Sequence, residues 1–319
     1  MGQFLYIGVD TSCYTTSLAV LDEDGRLMAD KRIVLPVALG EHGLRQRDGV
    51  FYHVRNLTQL LEQADLPEGQ IKAVGVSSQP RPVEGSYMPV FLAGVAVAMG
   101  MTAASRAPLF QFSHQEGHIA AGIDLARLHM PFLAVHLSGG TTEALRVTPK
   151  AGVGFDIDLL AATSDLSAGQ MIDRVGVALG LPFPAGPHLE RLALGATGRL
   201  SLASAPARVG FSFSGPCSAA LRLVEQGEDA AEIAFATLRV VANSLEKVLR
   251  AIVEEEGLRQ VLMVGGVMSN QLIRRRLSHR LQGFLTLEFI EPHLCTDNAV
   301  GVAKLAREKF LRQGGGERF

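Results

Sequence analysis

The sequence predicts an α/β protein of two related halves facing each other across a cleft. Three observations carry this. Each half opens with strand, small-residue turn, strand: Gly8-Val9-Asp10-Thr11-Ser12 in the first, Ser138-Gly139-Gly140-Thr141-Thr142 in the second. Strands then alternate with helical segments in both halves, the pattern of helices packed on a mostly parallel sheet. Finally, His114-Gln115-Glu116-Gly117-His118 puts two histidines at i and i+4, on one face of a helix.

Taken in order, residues 4–9 read as a buried strand, 17–21 as its hairpin partner, and Asp22-Glu23-Asp24-Gly25 as the turn into a third strand, 27–35. A helix is expected over 50–63, with Val54, Leu57, Leu60 and Leu61 on its apolar face. Residues 71–77 form a strand, 88–105 a Gly- and Ala-rich helix, and 109–112 a short strand ending at the His114 helix. The pattern restarts with strands 132–137 and 143–147. It continues with helices 168–179 and 230–256, strand 260–264, helix 270–281, strand 285–290 and a last helix from about 298 to 312, before a frayed tail. The expected division is 1–130, with 296–319 packing back on it, and 131–295.

At 319 residues and 47% apolar content, the chain can bury a large core. No apolar run reaches the ~18 residues of a membrane span, and the N-terminus lacks a signal-peptide pattern, so a cytoplasmic location is expected. A net charge of −2 excludes a globally basic nucleic-acid binder but not a local patch. The densest basic cluster, Arg274-Arg275-Arg276 with Arg280, reads as a solvated helix face or, by its charge, as a nucleic-acid contact. Cys13, Cys217 and Cys295 form neither a CxxC pair nor a disulfide framework.

The histidine spacing lets both imidazoles reach one divalent cation, and Asp297, in Cys295-Thr296-Asp297-Asn298, can complete the site. The motif is not HExxH: Gln115 holds the second place, so a metalloprotease, which needs a glutamate to activate bound water, is a poor reading. The two small-residue turns can offer backbone N–H groups to phosphate oxygens. Asp173 can accept ribose hydroxyls, or is an exposed helical aspartate. Gly186 can let a ribose or base lie on the main chain, or belongs to a structural Pro/Gly turn. Asn270, after Gly265-Gly266, can bond a base or ribose, or cap the next helix.

With these residues in view, the chain resembles the TsaD-type family, long labelled glycoprotease, over nearly its whole length. The matching pieces are Asp10-Thr11-Ser12-Cys13, the His114–His118 motif, Ser138-Gly139-Gly140, Asp173-Arg174, Leu179-Gly180-Leu181, Pro184-Ala185-Gly186-Pro187, Phe211-Ser212-Phe213-Ser214-Gly215, Gly265-Gly266-Val267 with Asn270, and Cys295 through Asn298. The resemblance implies an actin/sugar-kinase/Hsp70-like (ASKHA) fold, each half a ribonuclease-H-like mixed sheet with helices. It implies transfer of a threonylcarbamoyl group from threonylcarbamoyl-AMP to N6 of the tRNA adenosine next to the anticodon. His114, His118 and Asp297 would ligate iron or zinc. Ser138, Gly139, Gly140, Thr141, Thr142, Asp173, Gly186 and Asn270 would hold the adenylate, with Asp10 and Ser138 as catalytic residues. The implied partners are tRNA, a smaller protein of the same fold and the enzyme that makes threonylcarbamoyl-AMP; a homodimer stays open.

The sequence departs from the family at several cleft positions. Tyr14-Thr15 stand where Asp-Glu is usual, Thr141 where histidine is usual, and Pro216-Cys217-Ser218 where Leu-Lys-Thr is usual. Arg81 and Glu84 replace a Gly-Pro-Gly loop. These departures support an alternative, a non-catalytic or repurposed nucleotide-binding paralog acting as a regulatory or complex subunit.

Overall fold

The structure, a computed structural model, describes residues 3–12, 14–37, 44–63, 67–123, 127–204 and 210–314. Cys13 and the expected frayed tail beyond Gly314 lie outside the described residues.

Two five-stranded mixed sheets carry the fold, and they repeat one topology. In the first, β1 (Phe4–Thr11) pairs antiparallel with β2 (Thr15–Leu21), which pairs antiparallel with β3 (Leu27–Val34); β4 (Gln70–Gln79) and β5 (Leu109–Ser113) add on the other side of β1 in parallel. In the second, β6 (Phe132–Leu137), β7 (Thr142–Pro149) and β8 (Phe155–Ala162) form the antiparallel meander, and β9 (Gln260–Val264) and β10 (Thr286–Phe289) extend it in parallel beyond β6. The central strands β1, from Leu5 on, and β6 are buried throughout, because helices cover both faces of a parallel core.

The helices are α1 (Gln46–Gln63), α2 (Phe91–Ser105), α3 (His114–Gly122), α4 (Ala168–Ala178), α5 (Gly186–Ala193), α6 (Ser214–Glu225), α7 (Ala230–Glu256), α8 (Gln271–Leu281), the short α9 (Pro292–Cys295) and α10 (Val300–Gly314). Strand β8 and helices α5 and α6 are not among the expected elements. Helix α5 starts inside the run read as a Pro/Gly turn, with Pro187 in its first turn, where a backbone N–H would have no partner within the helix.

One expectation is corrected. Val54 and Leu61 are exposed, while His53, Asn56, Leu57 and Leu60 form the buried stripe of α1. Two polar residues are tolerated there because Thr16 of β2 bonds both: its Oγ1 lies 2.9 Å from His53 Nδ1 and accepts from Asn56 Nδ2 at 3.2 Å. Periodicity of apolar residues alone misjudges a face whose burial depends on such a distant partner.

Helix α10 packs back on the first sheet and on α3. The contact is glycine-mediated: a Cβ on Gly8 of β1 would overlap the Ala299 carbonyl just before α10, and one on Gly75 of β4 the Val302 carbonyl within it. That packing brings the segment around Asp297 to the mouth of β1 and β4.

Candidate functional site

Helix α3 starts in a capping box. Ser113 Oγ accepts the Glu116 N–H at 3.1 Å and Glu116 Oε2 accepts the Ser113 N–H at 2.8 Å, an arrangement stabilising by about 1 kcal/mol. Glu116 is thereby occupied at the helix start. The cap also fixes which way the first turn points, and His114 and His118 project together toward Asp297.

Nε2 of His118 lies 3.1 Å from Nε2 of His114 and 3.3 Å from Asp297 Oδ1, and His114 Nε2 lies 3.5 Å from the same oxygen. One ligand atom from each residue falls within 4.8 Å of the others, an arrangement that can hold a metal ion. Behind them, His114 Nδ1 donates to Asp10 Oδ2 at 2.8 Å. An ionised carboxylate only accepts, so this bond puts a proton on Nδ1 and leaves Nε2 directed at the cluster. Asp10 also accepts from the Ser12 N–H at 3.0 Å and from the Ser77 hydroxyl, and Ser12 Oγ donates to Asp297 Oδ2 at 2.7 Å. Asp10 is buried behind His114 rather than on the cleft wall.

The charges are strongly coupled. Burial disfavours charge on His114, but Asp10 and then Asp297 outweigh it and hold its pKa up at about 10. Burial and the His114 charge together push His118 down. Burial opposes the Asp297 carboxylate, yet hydrogen bonds from His114 and His118 hold it well below the usual range.

The cluster opens into a cleft of about 480 Å³ between the halves. His114, Asp297, Ser138, Gly139, Gly140, Thr141 and Asp173 line it. The second turn is tight: Ser138 N–H donates to the Thr141 carbonyl at 2.9 Å, and the Thr141 N–H to Ser138 Oγ at 3.2 Å. The N-terminus of α4 packs beneath it. Ser167 Oγ donates to the Gly139 carbonyl at 2.8 Å, and a Cβ on Gly169 would overlap the Ser138 carbonyl. Thr142 is buried and accepts the Ala168 N–H at 2.8 Å; Asp173 accepts the Ala185 N–H at 2.8 Å; Gly186 opens α5 beside Ile172; Asn270 caps α8 by accepting the Ile273 N–H at 3.0 Å.

Three features were not read from the sequence. His136 of β6 is buried, its ring centroid 4.7 Å from that of His118, with neither ring nitrogen hydrogen-bonded among the described residues. Its signal was a histidine inside an otherwise apolar central strand. Arg81 pairs with buried Glu143 at 2.5 Å, and Gln115 Nε2 donates to the same carboxylate at 2.8 Å, joining the two halves at the cleft wall. Tyr14 and Phe183 meet edge to face at 5.7 Å across the cleft.

Two repeated mixed sheets with a His-His-Asp cluster in the cleft between them define an ASKHA-fold protein with a candidate metal centre. Solved structures share that fold: component A of (R)-2-hydroxyglutaryl-CoA dehydratase from Acidaminococcus fermentans (TM-score 0.59, 16% identity, 96% of this chain and 99% of that one) and a ROK family glucokinase from Streptomyces griseus (TM-score 0.53, 14% identity, 95% and 99%). The family model of TsaD, tRNA N6-adenosine threonylcarbamoyltransferase, matches residues 52–304. Relatives bearing that name are 34% identical in Aromatoleum aromaticum, over 98% of this chain and 92% of the relative, and 30% identical in Halalkalibacterium halodurans, over 97% and 92%. The chain belongs to the TsaD family.

Proposed function

We propose that this chain transfers the threonylcarbamoyl group of threonylcarbamoyl-AMP to N6 of the tRNA adenosine next to the anticodon. In that reaction N6 attacks the carbamoyl carbon, the bond to the phosphate oxygen breaks, and AMP leaves with the electron pair as the amine gives up a proton. The observation that carries the reading is that the cluster of His114, His118 and Asp297 reaches, through His114 and Asp297, the same cleft as the 138–141 turn. Iron or zinc bound by these three residues would supply positive charge for the phosphate and carbamoyl oxygens. The donor set suits such an ion, because Asp10 orients His114 from behind.

The chain's own residues have distinct parts. Backbone and hydroxyl groups of Ser138 through Thr141 face the phosphate, and Asp173 faces the ribose. Gly186 and Asn270 complete the nucleoside end, and Thr142 anchors the turn on α4. Asp10 positions His114, and Ser138 borders the reacting group. The working division is two lobes, 1–130 with 296–319, and 131–295, closing on the adenylate. The same-fold partner would dock on Phe51 and Val54 of α1 and Leu92 and Met99 of α2, which are exposed. The threonylcarbamoyl-AMP-forming enzyme supplies the donor, and a cytoplasmic setting goes with tRNA as acceptor. Among the described residues no helix is long and apolar enough to cross a membrane.

A second reading, a nucleotide-binding paralog without transfer activity, is favoured by the Tyr14–Phe183 contact, which bridges the cleft at a position where the family has an aspartate. The deciding assay supplies unmodified tRNA, labelled threonine, ATP, bicarbonate, a threonylcarbamoyl-AMP-forming enzyme and a same-fold partner. Label in tRNA that vanishes in the His114→Ala/His118→Ala chain establishes transfer. Absence of label beside an active family member, with nucleotide still bound, establishes the second reading.

A further inference from the structure

We infer that the groove between α7 and α8 is a binding surface for the phosphate backbone of the RNA substrate, an inference that rests on the transferase reading above. The groove has a volume of about 330 Å³ and presents Arg239, Arg275, Arg276, His279 and Arg280 over an apolar floor that includes Phe235 and Leu272. The sequence cluster that reads as a solvated face or a charged contact is divided by the fold. Arg274 turns inward, donating from its guanidinium to the Met268 and Ile290 carbonyls, while Arg275, Arg276 and Arg280 face the groove.

The guanidinium groups are held mostly by neutral acceptors, which orient them without cancelling their charge. Arg276 Nε donates to Asn243 Oδ1 at 2.8 Å, and Arg239 donates to the Gly198 and Leu200 carbonyls. One carboxylate, Glu246, takes part: Arg280 donates to it at 2.8 Å and Arg250 at 3.2 Å. Burial, then the charges of Arg280 and Arg239, pull Arg276 below the usual arginine range, so the like charges crowd one another. Such crowding is relieved by an anion.

A polymer fits better than a single phosphate. The cations are spread along α8 from Arg275 to Arg280 and across to α7, more than one helical turn. The helix that carries these cations also begins close in sequence to a residue of the cleft wall. Helix α8 starts at Gln271, five residues after Gly266, which lines the cleft, and Arg275 lies about 6 Å along the helix axis from Gln271. A strand with one base in the cleft can lay its flanking phosphates on these arginines.

The test is equilibrium binding of unmodified tRNA to the full chain across a salt series, followed by fluorescence anisotropy. Arg275→Ala/Arg280→Ala is expected to weaken binding by about 3- to 10-fold and to lower the slope of log K against log salt by about 1–2, roughly one per cation removed. Arg275→Lys/Arg280→Lys should keep most of the slope, and Arg26→Ala, on the β2–β3 turn, should leave binding unchanged. Should the double alanine chain be unstable, Arg275→Glu alone, at an exposed position, carries the same expectation. Unchanged affinity and slope in the alanine chain would overturn the groove while leaving the transferase reading in place. No tRNA binding by the wild-type chain would overturn that reading and the groove with it.

Discussion

Gly301 of α10 stands so close to Gly117 of α3 that a Cβ on Gly301 would overlap the Gly117 carbonyl oxygen. Gly117 is the residue before His118, and α10 begins three residues after Asp297. This backbone contact therefore sets the distance between the two segments that carry the candidate metal site, α3 and the residues before α10. Gly301→Ala has to push the helices apart, at a cost of about 1–3 kcal/mol. It is expected both to lower the denaturant midpoint and to weaken zinc uptake. A chain with wild-type stability and wild-type zinc titration would show that the contact does not position Asp297.

The bond from His114 to Asp10 predicts a pH-dependent metal affinity. With the His114 pKa held at about 10, an incoming ion displaces a proton throughout the neutral range. Zinc affinity should rise about tenfold per pH unit between roughly pH 7 and 9, with one proton released per ion. In the metal-free chain the sign runs the other way. The folded pKa lies above the unfolded value of about 6.5, so the stabilisation is complete below that pH and is lost as pH rises through about 10. Asp10→Asn should flatten the affinity slope and, at pH 9, weaken zinc binding by about 10- to 100-fold. Calorimetric titration in buffers of different ionisation enthalpy reads both quantities, and an unchanged slope in the variant would remove Asp10 from this role.

Arg81 and Glu143 make a double-mutant prediction. Burial pushes the Glu143 carboxyl up, opposed by the Arg81 charge and by the Gln115 hydrogen bond. Arg81→Ala leaves a buried carboxylate short of a partner, at a cost of about 1–3 kcal/mol at pH 8. Because the Arg81 side chain is 49% exposed, solvent screening favours the low end of that range. Glu143→Gln should be near neutral, and the double variant should recover most of the loss. Urea midpoints of the four chains decide it; additive losses would mean the pair is not coupled.

Glu232 gives a prediction in acid. Its carboxylate accepts the Thr197 hydroxyl at 2.7 Å and the N–H groups of Thr197 at 2.6 Å, Gly198 at 3.2 Å and Leu200 at 3.3 Å. These bonds hold its pKa at about 2. A depressed folded pKa stabilises above the unfolded value of about 4.3, and that contribution is lost as pH falls toward about 2. Wild type and Glu232→Gln should therefore differ by a constant margin above about pH 5.5, and the margin should close between about pH 4.5 and 2. A margin that persists at pH 2 would count against the assignment.

Much of the architecture was legible because it rests on local patterns. Short apolar runs bounded by turn residues mark β1 and β6 and their hairpin partners β2 and β7, and the i, i+4 histidines mark a shared helix face. Elements lacking a clean period were lost: α5 hides behind its own proline, and β8, Phe155–Ala162, is an edge strand with partial burial. The buried face of α1 was misjudged because His53 and Asn56 are paired by Thr16, a residue on another element.

What the sequence determined by itself was the pair of repeated halves, the histidine pair and its likeness to one family. Only the tertiary structure decided that Asp10 stands behind His114, that Glu143 draws Arg81 across the cleft, that His136 lies beside His118, and that Arg274 leaves the surface its neighbours share. The physical reason is that periodicity encodes which face of an element is buried. What meets that face is settled by packing, here by glycines that let α10 close on α3 and bring Asp297 to histidines far behind it in the chain.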